Sequence, residues 1–307
     1  MEIKHATIVG MGALGAMYGA ILSETLGKDG VRFVADERRV GRYQAEGITC
    51  NGKPCHFTYI LDTEKSDPAD LLIFAVKWNS LPEAMETAKN QVGENTIILS
   101  VMNGISSEEV IAARFGRERV LYSVAPGMDA VKLGNRLTYT QCGTLSIGIP
   151  KTEPEKQERL DAVVRFLDKT HLKFVVEEDI MRRMWSKFML NVGVNQVLMV
   201  EEGNYGTVQH DGPAKDLMVA AMKEVQLLAG KQGYTLTDGD IAGYVQMLTT
   251  LDPEGMPSMR QDGLLHRPTE VEMFAGTVIR LAGECGVEVP VNQLLYKRVK
   301  EMEAACL

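Results

Sequence analysis

The sequence predicts an α/β protein of two domains, in which a parallel sheet covered by helices is followed by an all-α domain. Residues 5 to about 150 alternate short apolar runs with helix-like segments, a pattern typical of a parallel sheet with helices on both faces. From residue 179 onward long helical periods dominate. At 307 residues the chain also exceeds the roughly 250 to 300 residues at which single cores stop growing. We therefore predict domains over residues 1–178 and 179–307.

The strands of the first domain are predicted from the apolar runs "ATIVG", "VRFVAD", "ADLLIFAV" and "TIILSVMNG". Two hairpins are predicted around Asn51-Gly52 and Gly134-Asn135, because such dipeptides favour tight turns. We expect these hairpins to make the sheet mixed at one edge. A helix with an acidic first turn is predicted in "TEPEKQERLDAVVRFLDKT", just before the domain boundary.

Charge and cysteine content exclude several classes of function. The net charge of -8 argues against general binding to nucleic acid or to anionic membrane surfaces. No apolar run reaches the roughly 18 residues of a membrane span, and the chain opens on a strand without a signal-peptide pattern. The five cysteines are odd in number and scattered: Cys50, Cys55, Cys142, Cys285 and Cys306. We therefore expect neither a disulfide framework nor a zinc site, and we expect the protein in the reducing cytoplasm. The histidines are isolated, so no metal site is expected.

The segment "GMGALG" predicts a dinucleotide-binding loop in a Rossmann-type domain. Gly10, Gly12 and Gly15 have the GxGxxG spacing between an apolar strand and an apolar helix. The first glycine permits the tight turn, the second lets the backbone approach a pyrophosphate, and the third lets the helix pack on the strand. Ala13 and Leu14 begin the helix whose amides would face the anion.

The choice between NAD and NADP is left open by the end of the second strand. Asp36 stands where an acidic residue binds the ribose 2′-hydroxyl of NAD. Arg38, Arg39 and Arg42 follow, and an arginine there accommodates the 2′-phosphate of NADP. A solvated charged loop is the alternative explanation for any one of these arginines.

A polar stripe runs along an otherwise apolar helix in "MWSKFMLNVGVNQVLMV". Lys187, Asn191 and Asn195 recur at steps of four and therefore share one face. The lysine could extend its charge to solvent and the asparagines could brace packed helices. Alternatively, a lysine partly desolvated beside Trp185 and Phe188 has a lowered pKa and suits a proton donor.

Several ordered motifs together resemble the ketopantoate reductase family across nearly the whole chain. They are "GMGALG", "AVKWN" with Lys77, "VMNG" with Asn103 and Gly104, "WSKFMLNVGVN" with Lys187, Asn191 and Asn195, and "SMRQDGLLHRPTEVEMFAGTVI" with Ser258, Asp262, Glu270 and Gly276. Members of that family reduce a branched 2-keto acid with NADPH. The resemblance implies a helical domain like the C-terminal domain of 6-phosphogluconate dehydrogenase.

The resemblance also implies residue roles. Lys187 would be the general acid, and Glu270 would hold the substrate hydroxyl and pair with Lys187 in the free enzyme. Asn191, Asn195 and Ser258 would surround the substrate. Lys77 and Asn103 would line the cofactor and the substrate cleft. The family commonly has an arginine where Asp36 stands, so NADH remains open beside NADPH.

The resemblance leaves other functions to be separated by experiment. The chain could act on another small 2-keto or 2-hydroxy acid, because the shape of the pocket sets that choice. It could also be a dinucleotide-binding sensor, although a sensor needs no proton donor. A sugar-acid dehydrogenase of similar layout lacks the "WSK" and "PTEVE" contexts. We expect the site in a cleft between the domains that closes over the ligand. The sequence leaves open whether the protein forms a homodimer.

Overall fold

The computed structural model describes residues 1–306, without the side chains of Lys28 and Cys306, and it divides into two compact units. The first unit comprises Met1–Asn103 and Ser107–Ile180. The second comprises Gly104–Ser106 and the chain from Met181 onward. The sequence placed the boundary after residue 178.

A five-stranded sheet forms the centre of the first unit. Its strands are β1 (Ala6–Val9), β2 (Val31–Ala35), β5 (Thr58–Leu61), β6 (Leu71–Phe74) and β7 (Ile97–Ser100). Their order is β5-β2-β1-β6-β7, and every neighbouring pair is parallel. The strands after β1 are added first on one side of it (β2, β5) and then on the other (β6, β7), and ligands bind at such a switch point beyond the carboxyl ends of the strands. The predicted Rossmann-type sheet is confirmed.

Helices cover both faces of this sheet. They are α1 (Ala13–Gly30), α2 (Glu37–Glu46), α3 (Leu81–Ala88), α4 (Ser107–Phe115) and α5 (Gln157–Leu167). Successive strand residues point to opposite faces, so Ile8 joins the core under α1 and α5, while Val9 joins the core under α3 and α4. Both residues are buried, which explains why β1 carries apolar side chains on both of its faces.

The two predicted hairpins exist, but the prediction that they join one edge of the main sheet and make it mixed was wrong. Strands β3 (Ile48–Cys50), β4 (Lys53–Cys55), β9 (Val131–Leu133) and β10 (Arg136–Thr138) form their own sheet in the order β4-β3-β10-β9. Strands β3 and β10 pair with each other because Ile48, Cys50 and Leu137 then bury one common face in the core under α1. The burial of these three side chains thus decides that the two hairpins pair with each other.

Three further strands complete the first unit. They are β8 (Tyr122–Val124), β11 (Leu145–Gly148) and β12 (Phe174–Val176). Strand β11 lies between the other two, antiparallel to β8 and parallel to β12.

The second unit is helical, as predicted. Its helices are α6 (Ile180–Val200), α7 (Gly206–Gln209), α8 (Pro213–Lys231), α9 (Asp238–Leu248), α10 (Ser258–Leu264), α11 (Thr277–Cys285) and α12 (Pro290–Cys306). A π-helical turn at Glu272–Gly276, called the π turn below, leads directly into α11. Helix starts carry ordinary signals, among them Pro213 and a capping box between Thr237 and Asp240.

Helix α6 is buried on most of its circumference. Phe188, Met189 and Val192 are at most 1% exposed, and so are Val197 and Leu198 further along. A helix that is apolar on nearly all sides lies in the interior of a helical domain. Its polar side chains therefore require partners or a ligand.

Within the part of the chain that the structure describes, no helix is long and apolar enough to cross a membrane. Cys50, Cys55, Cys142 and Cys285 have free thiols. The expectation for Cys306 falls on a side chain outside the described residues.

Candidate active site

The glycine loop of the first unit follows β1 and has the geometry that the motif predicts. Gly10 has a φ of +97°, and a Cβ there would lie 2.5 Å from the carbonyl oxygen of Ala75. A Cβ on Gly15 would lie 1.9 Å from the carbonyl oxygen of Gly10. Only glycine fits either position, because one requires a left-handed backbone and both meet backbone atoms.

The N-terminus of α1 faces the same loop. Gly12 is its N-cap and has no side-chain cap. The amide of Ala16 donates to the Gly12 carbonyl at 3.1 Å, so the amides of Ala13 and Leu14 precede the first helical hydrogen bond. These amides and the helix dipole favour an anion, and the loop therefore fits a dinucleotide pyrophosphate.

Asp36 and Arg39 lie at the end of β2 and are engaged with each other. Asp36 caps α2 by accepting from the Arg39 amide at 2.8 Å, and its second oxygen accepts from Arg39 Nη1, also at 2.8 Å. Arg39 Nη1 also donates to Glu83 at 2.5 Å. The amide hydrogen bond and the neighbouring arginine lower the pKa of Asp36. Two carboxylates thus share Arg39, the residue predicted to meet a 2′-phosphate.

Lys77 and Asn103 follow the two strands next to β1. Strand β6 ends at Phe74 and β7 at Ser100, and both are parallel to β1. The carboxyl ends of parallel neighbours meet at one edge, so the topology brings both residues to the edge where the glycine loop lies. Lys77 is exposed and Asn103 is half-buried.

The polar stripe of α6 is present as predicted, with Lys187, Asn191 and Asn195 one turn apart on one helix. Asn195 is buried and its Oδ1 accepts from the Met259 amide at 3.4 Å. Met259 belongs to α10, which Ser258 begins with an exposed side chain. The second unit therefore brings the N-terminus of α10 to the stripe, and Ser258 with it.

The surroundings of Lys187 change its acidity as its apolar neighbours predict. Burial, together with the positive charge of Arg183, lowers the pKa of Lys187 to about 8. The negative charge of Glu270 acts in the opposite direction. Lys187 can therefore both hold and release a proton near neutral pH, which a hydrated ammonium group does not do.

Glu270 is buried, with a side chain that is 8% exposed, and its negative charge raises the pKa of Lys187. Pro268 and Thr269 do not begin a helix, and helical structure starts after Glu270, with the π turn. Thr269 is held instead by Glu303, which accepts from its amide at 2.8 Å and from its hydroxyl at 2.7 Å. Glu270 thus lies between this anchor and the π turn.

Gly104 belongs to the second unit and packs against the π turn. It has a φ of +90°, and a Cβ there would lie 2.8 Å from Met273 Cγ. The glycine of the "VMNG" motif is therefore explained by backbone conformation and by close packing.

Sequence reasoning missed two residues of the second unit, Arg183 and Gln196. Arg183 lies one turn before Lys187, and the spacing of four that revealed the stripe would have included it. Gln196 is a buried polar residue within an apolar context. No local pattern in the sequence distinguishes it, because its partners Asn292 and Ala275 are distant in the chain. Among the described residues, no group of three or more His, Cys, Asp and Glu side chains could hold a metal ion.

A glycine loop at the carboxyl edge of a parallel sheet, with a lysine that titrates near neutrality in a following helical unit, defines a nicotinamide-dependent oxidoreductase. The sequence pattern of ketopantoate reductase PanE/ApbA matches residues 6–151, and that of ketopantoate reductase PanE/ApbA C terminal matches residues 179–303. The chain belongs to the ketopantoate reductase family and is an NAD(P)-dependent oxidoreductase.

Individual relatives are distant in sequence but similar over their whole length. A 2-dehydropantoate 2-reductase of Aquifex aeolicus is 27% identical over 96% of both chains. A structure of D-mandelate dehydrogenase with NADH has a TM-score of 0.85 at 19% identity, covering 99% of this chain and 100% of that one. Dimeric ketopantoate reductase from Staphylococcus aureus has a TM-score of 0.81 at 18% identity, with the same coverage.

Proposed function

We propose that this protein reduces 2-dehydropantoate to pantoate with NADPH, a step toward pantothenate and coenzyme A. The observation that carries the proposal is Lys187, a half-buried lysine with a pKa of about 8 that Glu270 influences, in a chain of the ketopantoate reductase family. The Aquifex aeolicus relative named 2-dehydropantoate 2-reductase supports the choice of substrate.

Lys187 supplies the proton that the reduction needs. The cofactor, when bound, supplies the hydride to the keto carbon. Negative charge then develops on the carbonyl oxygen, and the Lys187 ammonium donates one proton to it, giving the hydroxyl group and a neutral amine. A pKa of about 8 keeps most of the lysine protonated at neutral pH and makes it a better donor than a lysine with an ordinary pKa.

The neighbouring polar residues hold and orient the substrate. Glu270 accepts a hydrogen bond from the substrate hydroxyl and, in the free enzyme, favours the charged form of Lys187. Asn191, Asn195 and Ser258 supply neutral hydrogen-bonding groups, which discriminate shape and polarity without adding charge. Asn103 follows β7 and completes the substrate and cofactor contacts.

The nucleotide is held by the first unit. Gly10, Gly12 and Gly15 leave room for the pyrophosphate, and the amides of Ala13 and Leu14 bind it. Lys77 adds a positive charge at the same edge of the sheet.

The preference between NADPH and NADH rests on Asp36 and Arg39. The family resemblance favours NADPH, whose 2′-phosphate Arg39 would bind after leaving its two carboxylates. NADH is the second candidate, because the Asp36 carboxylate is positioned after β2 where a ribose hydroxyl is bound.

A second candidate substrate is another small 2-keto acid, or the corresponding 2-hydroxy acid in reverse. The observation that favours it is the TM-score of 0.85 to D-mandelate dehydrogenase, since mandelate is a 2-hydroxy acid. The same lysine chemistry serves either substrate, and only the shape of the pocket separates them. We further propose a homodimer, supported by the dimeric Staphylococcus aureus neighbour, and a reducing cytoplasm, supported by the free thiols.

The test is to follow the oxidation of NADPH and of NADH with ketopantoate, benzoylformate and pyruvate. We expect NADPH and ketopantoate to be the best pair, and Lys187→Ala to lower kcat/KM by about a hundredfold or more. Lys223→Ala, which removes an exposed lysine of α8, is the control and should leave the rates unchanged.

Two results would contradict the proposal. If benzoylformate is preferred over ketopantoate, the second candidate replaces the first. If the protein binds a nucleotide but oxidises it with none of these acids, the sensor function gains support.

A further inference from the structure

The π turn after Glu270 departs from the hydrogen bonding of a regular α-helix. The Phe274 amide donates to the Glu270 carbonyl at 3.0 Å, four residues back, as in an α-helix. The Gly276 amide donates to the Val271 carbonyl at 3.0 Å, five residues back. In a regular α-helix that carbonyl would accept from the Ala275 amide instead. The turn thus contains one extra residue, and the Ala275 amide is the group displaced from the helix.

A side chain from another helix binds the displaced amide. Gln196 Oε1 accepts from the Ala275 amide at 3.2 Å. Gln196 Nε2 donates to the Val192 carbonyl at 2.8 Å and to Asn292 Oδ1 at 3.1 Å. Gln196 is 0% exposed. The Val192 carbonyl can only accept, which fixes Nε2 on that side and points Oε1 toward the π turn.

The network behind Gln196 is anchored in two further helices. Asn292 donates to Glu224 at 2.7 Å and to the Ala221 carbonyl at 3.3 Å. Glu224 also caps α12 by accepting from the amides of Val291 and Asn292. A buried network in which every member has a partner is rigid, so Gln196 has little freedom to release the amide.

We propose that Gln196 is a positioning residue that holds the π turn and thereby keeps Glu270 facing Lys187. One residue of α-helix corresponds to a rotation of about 100° and a rise of about 1.5 Å. If the π turn closed into an α-helix, the segment that carries Glu270 would turn by about that angle relative to α11. The proposal rests on the proposed function, in which Glu270 acts on the substrate and on Lys187.

The alternative is that Gln196 is only a well-bonded core residue. A core role would affect stability, whereas a positioning role also affects the charge next to Lys187. Arg183 lowers the pKa of Lys187 and Glu270 raises it. Loss of Glu270 from its position should therefore lower the pKa of Lys187, and the decline of the rate at high pH should move to lower pH.

Gln196→Leu removes the acceptor and keeps the size of the side chain. We expect kcat with ketopantoate and NADPH to fall by about tenfold to a hundredfold, with the Kd of NADPH unchanged. We also expect the high-pH limb of kcat/KM to move in the same direction as in Glu270→Gln. Val225→Ala, a cavity variant at a buried position of α8, is the control for lost stability and should leave the pH profile unchanged.

A second variant tests the extra residue directly. Deleting Ala275 from the Gln196→Leu protein removes both the displaced amide and the extra residue, so a regular α-helix should return Glu270 to its place. We expect the deletion to restore the pH profile toward that of the wild type. A Gln196→Leu protein with the wild-type profile, or a deletion that restores nothing, would overturn the proposal.

Hydrogen exchange separates this proposal from the proposed function. The Ala275 amide should exchange slowly in the wild type and faster in Gln196→Leu, whatever the substrate. If the wild type reduces none of the 2-keto acids, the proposed function fails, but slow exchange that is lost in the variant still supports Gln196 as the holder of the π turn. Equal exchange in both proteins would show that Gln196 does not hold it.

Discussion

The two units present their candidate functional groups in different ways. In the first unit the nucleotide loop consists of backbone, and its requirements are glycines, free amides and the end of a strand. In the second unit the proposed chemistry depends on side chains from separate elements, with Lys187 on α6 and Glu270 before the π turn. Binding at a backbone site should therefore be weakened by an added methyl group. Activity at a site built from side chains should be weakened by a change in their charge or orientation.

The largest effect that this comparison predicts is that of Gly15→Ala. The new methyl group would lie 1.9 Å from the Gly10 carbonyl oxygen, and backbone cannot turn aside as a flexible side chain can. We expect the affinity for NADPH to fall by at least about a hundredfold and the unfolding free energy to fall by about 1–3 kcal/mol or more. Fluorescence titration with NADPH and thermal unfolding measure the two effects.

Gly41→Ala is the matched control in the same unit. Gly41 lies inside α2 with nothing within 4 Å of the added Cβ, so the methyl group should leave binding unchanged and stabilise the helix by about 0.5–1 kcal/mol. Wild-type affinity in Gly15→Ala would show that the nucleotide site is not built on this loop.

The same contrast explains what the sequence could predict. The glycine loop and the parallel sheet follow from spacing and apolar runs, because their determinants lie within a few residues of one another. The pairing of the two hairpins with each other could not be predicted from the sequence, since it depends on the shared burial of distant residues such as Ile48 and Leu137. Roles for Lys187 and Glu270 came from the family resemblance. The π turn could not be predicted, because Gln196 and Ala275 are distant in the sequence and neither has a local signature.

Glu108 is an exception within the first unit, since it is a buried ionisable side chain there. It is 1% exposed, and its carboxylate accepts from Ser107 Oγ at 2.9 Å. Ser100 Oγ lies 2.8 Å from Ser107 Oγ and accepts from the Met102 amide at 3.4 Å. Burial raises the pKa of Glu108 to about 7. Glu108 and Lys187 thus obey one rule with opposite sign, because burial favours the neutral form of each.

Glu108→Gln is predicted to make the first unit more stable at high pH. The folded pKa is about 7 and the usual value is 4.5, so the wild type loses stability as pH rises from about 4.5 through 7. Glutamine has no charge to bury, and we expect the variant to gain up to about 3 kcal/mol over the wild type between pH 5 and pH 8. Unfolding by urea at both pH values measures this difference. A constant difference between the two proteins would mean that Glu108 does not titrate in this range.

The smallest predicted effect concerns the charged residues at the end of β2 in the first unit. Asp36→Ser keeps an N-cap for α2 but removes one of the two carboxylates that bind Arg39, which leaves Glu83 to compete with a 2′-phosphate for the guanidinium. We expect the ratio of kcat/KM with NADPH to that with NADH to rise by about tenfold, equivalent to about 1.4 kcal/mol. Glu37→Gln removes an exposed acidic charge from the first turn of the same helix and should leave the ratio unchanged. An unchanged ratio in Asp36→Ser would show that Asp36 and Arg39 do not set the choice of cofactor, and the first unit would then bind its nucleotide through backbone without discrimination at this end of β2.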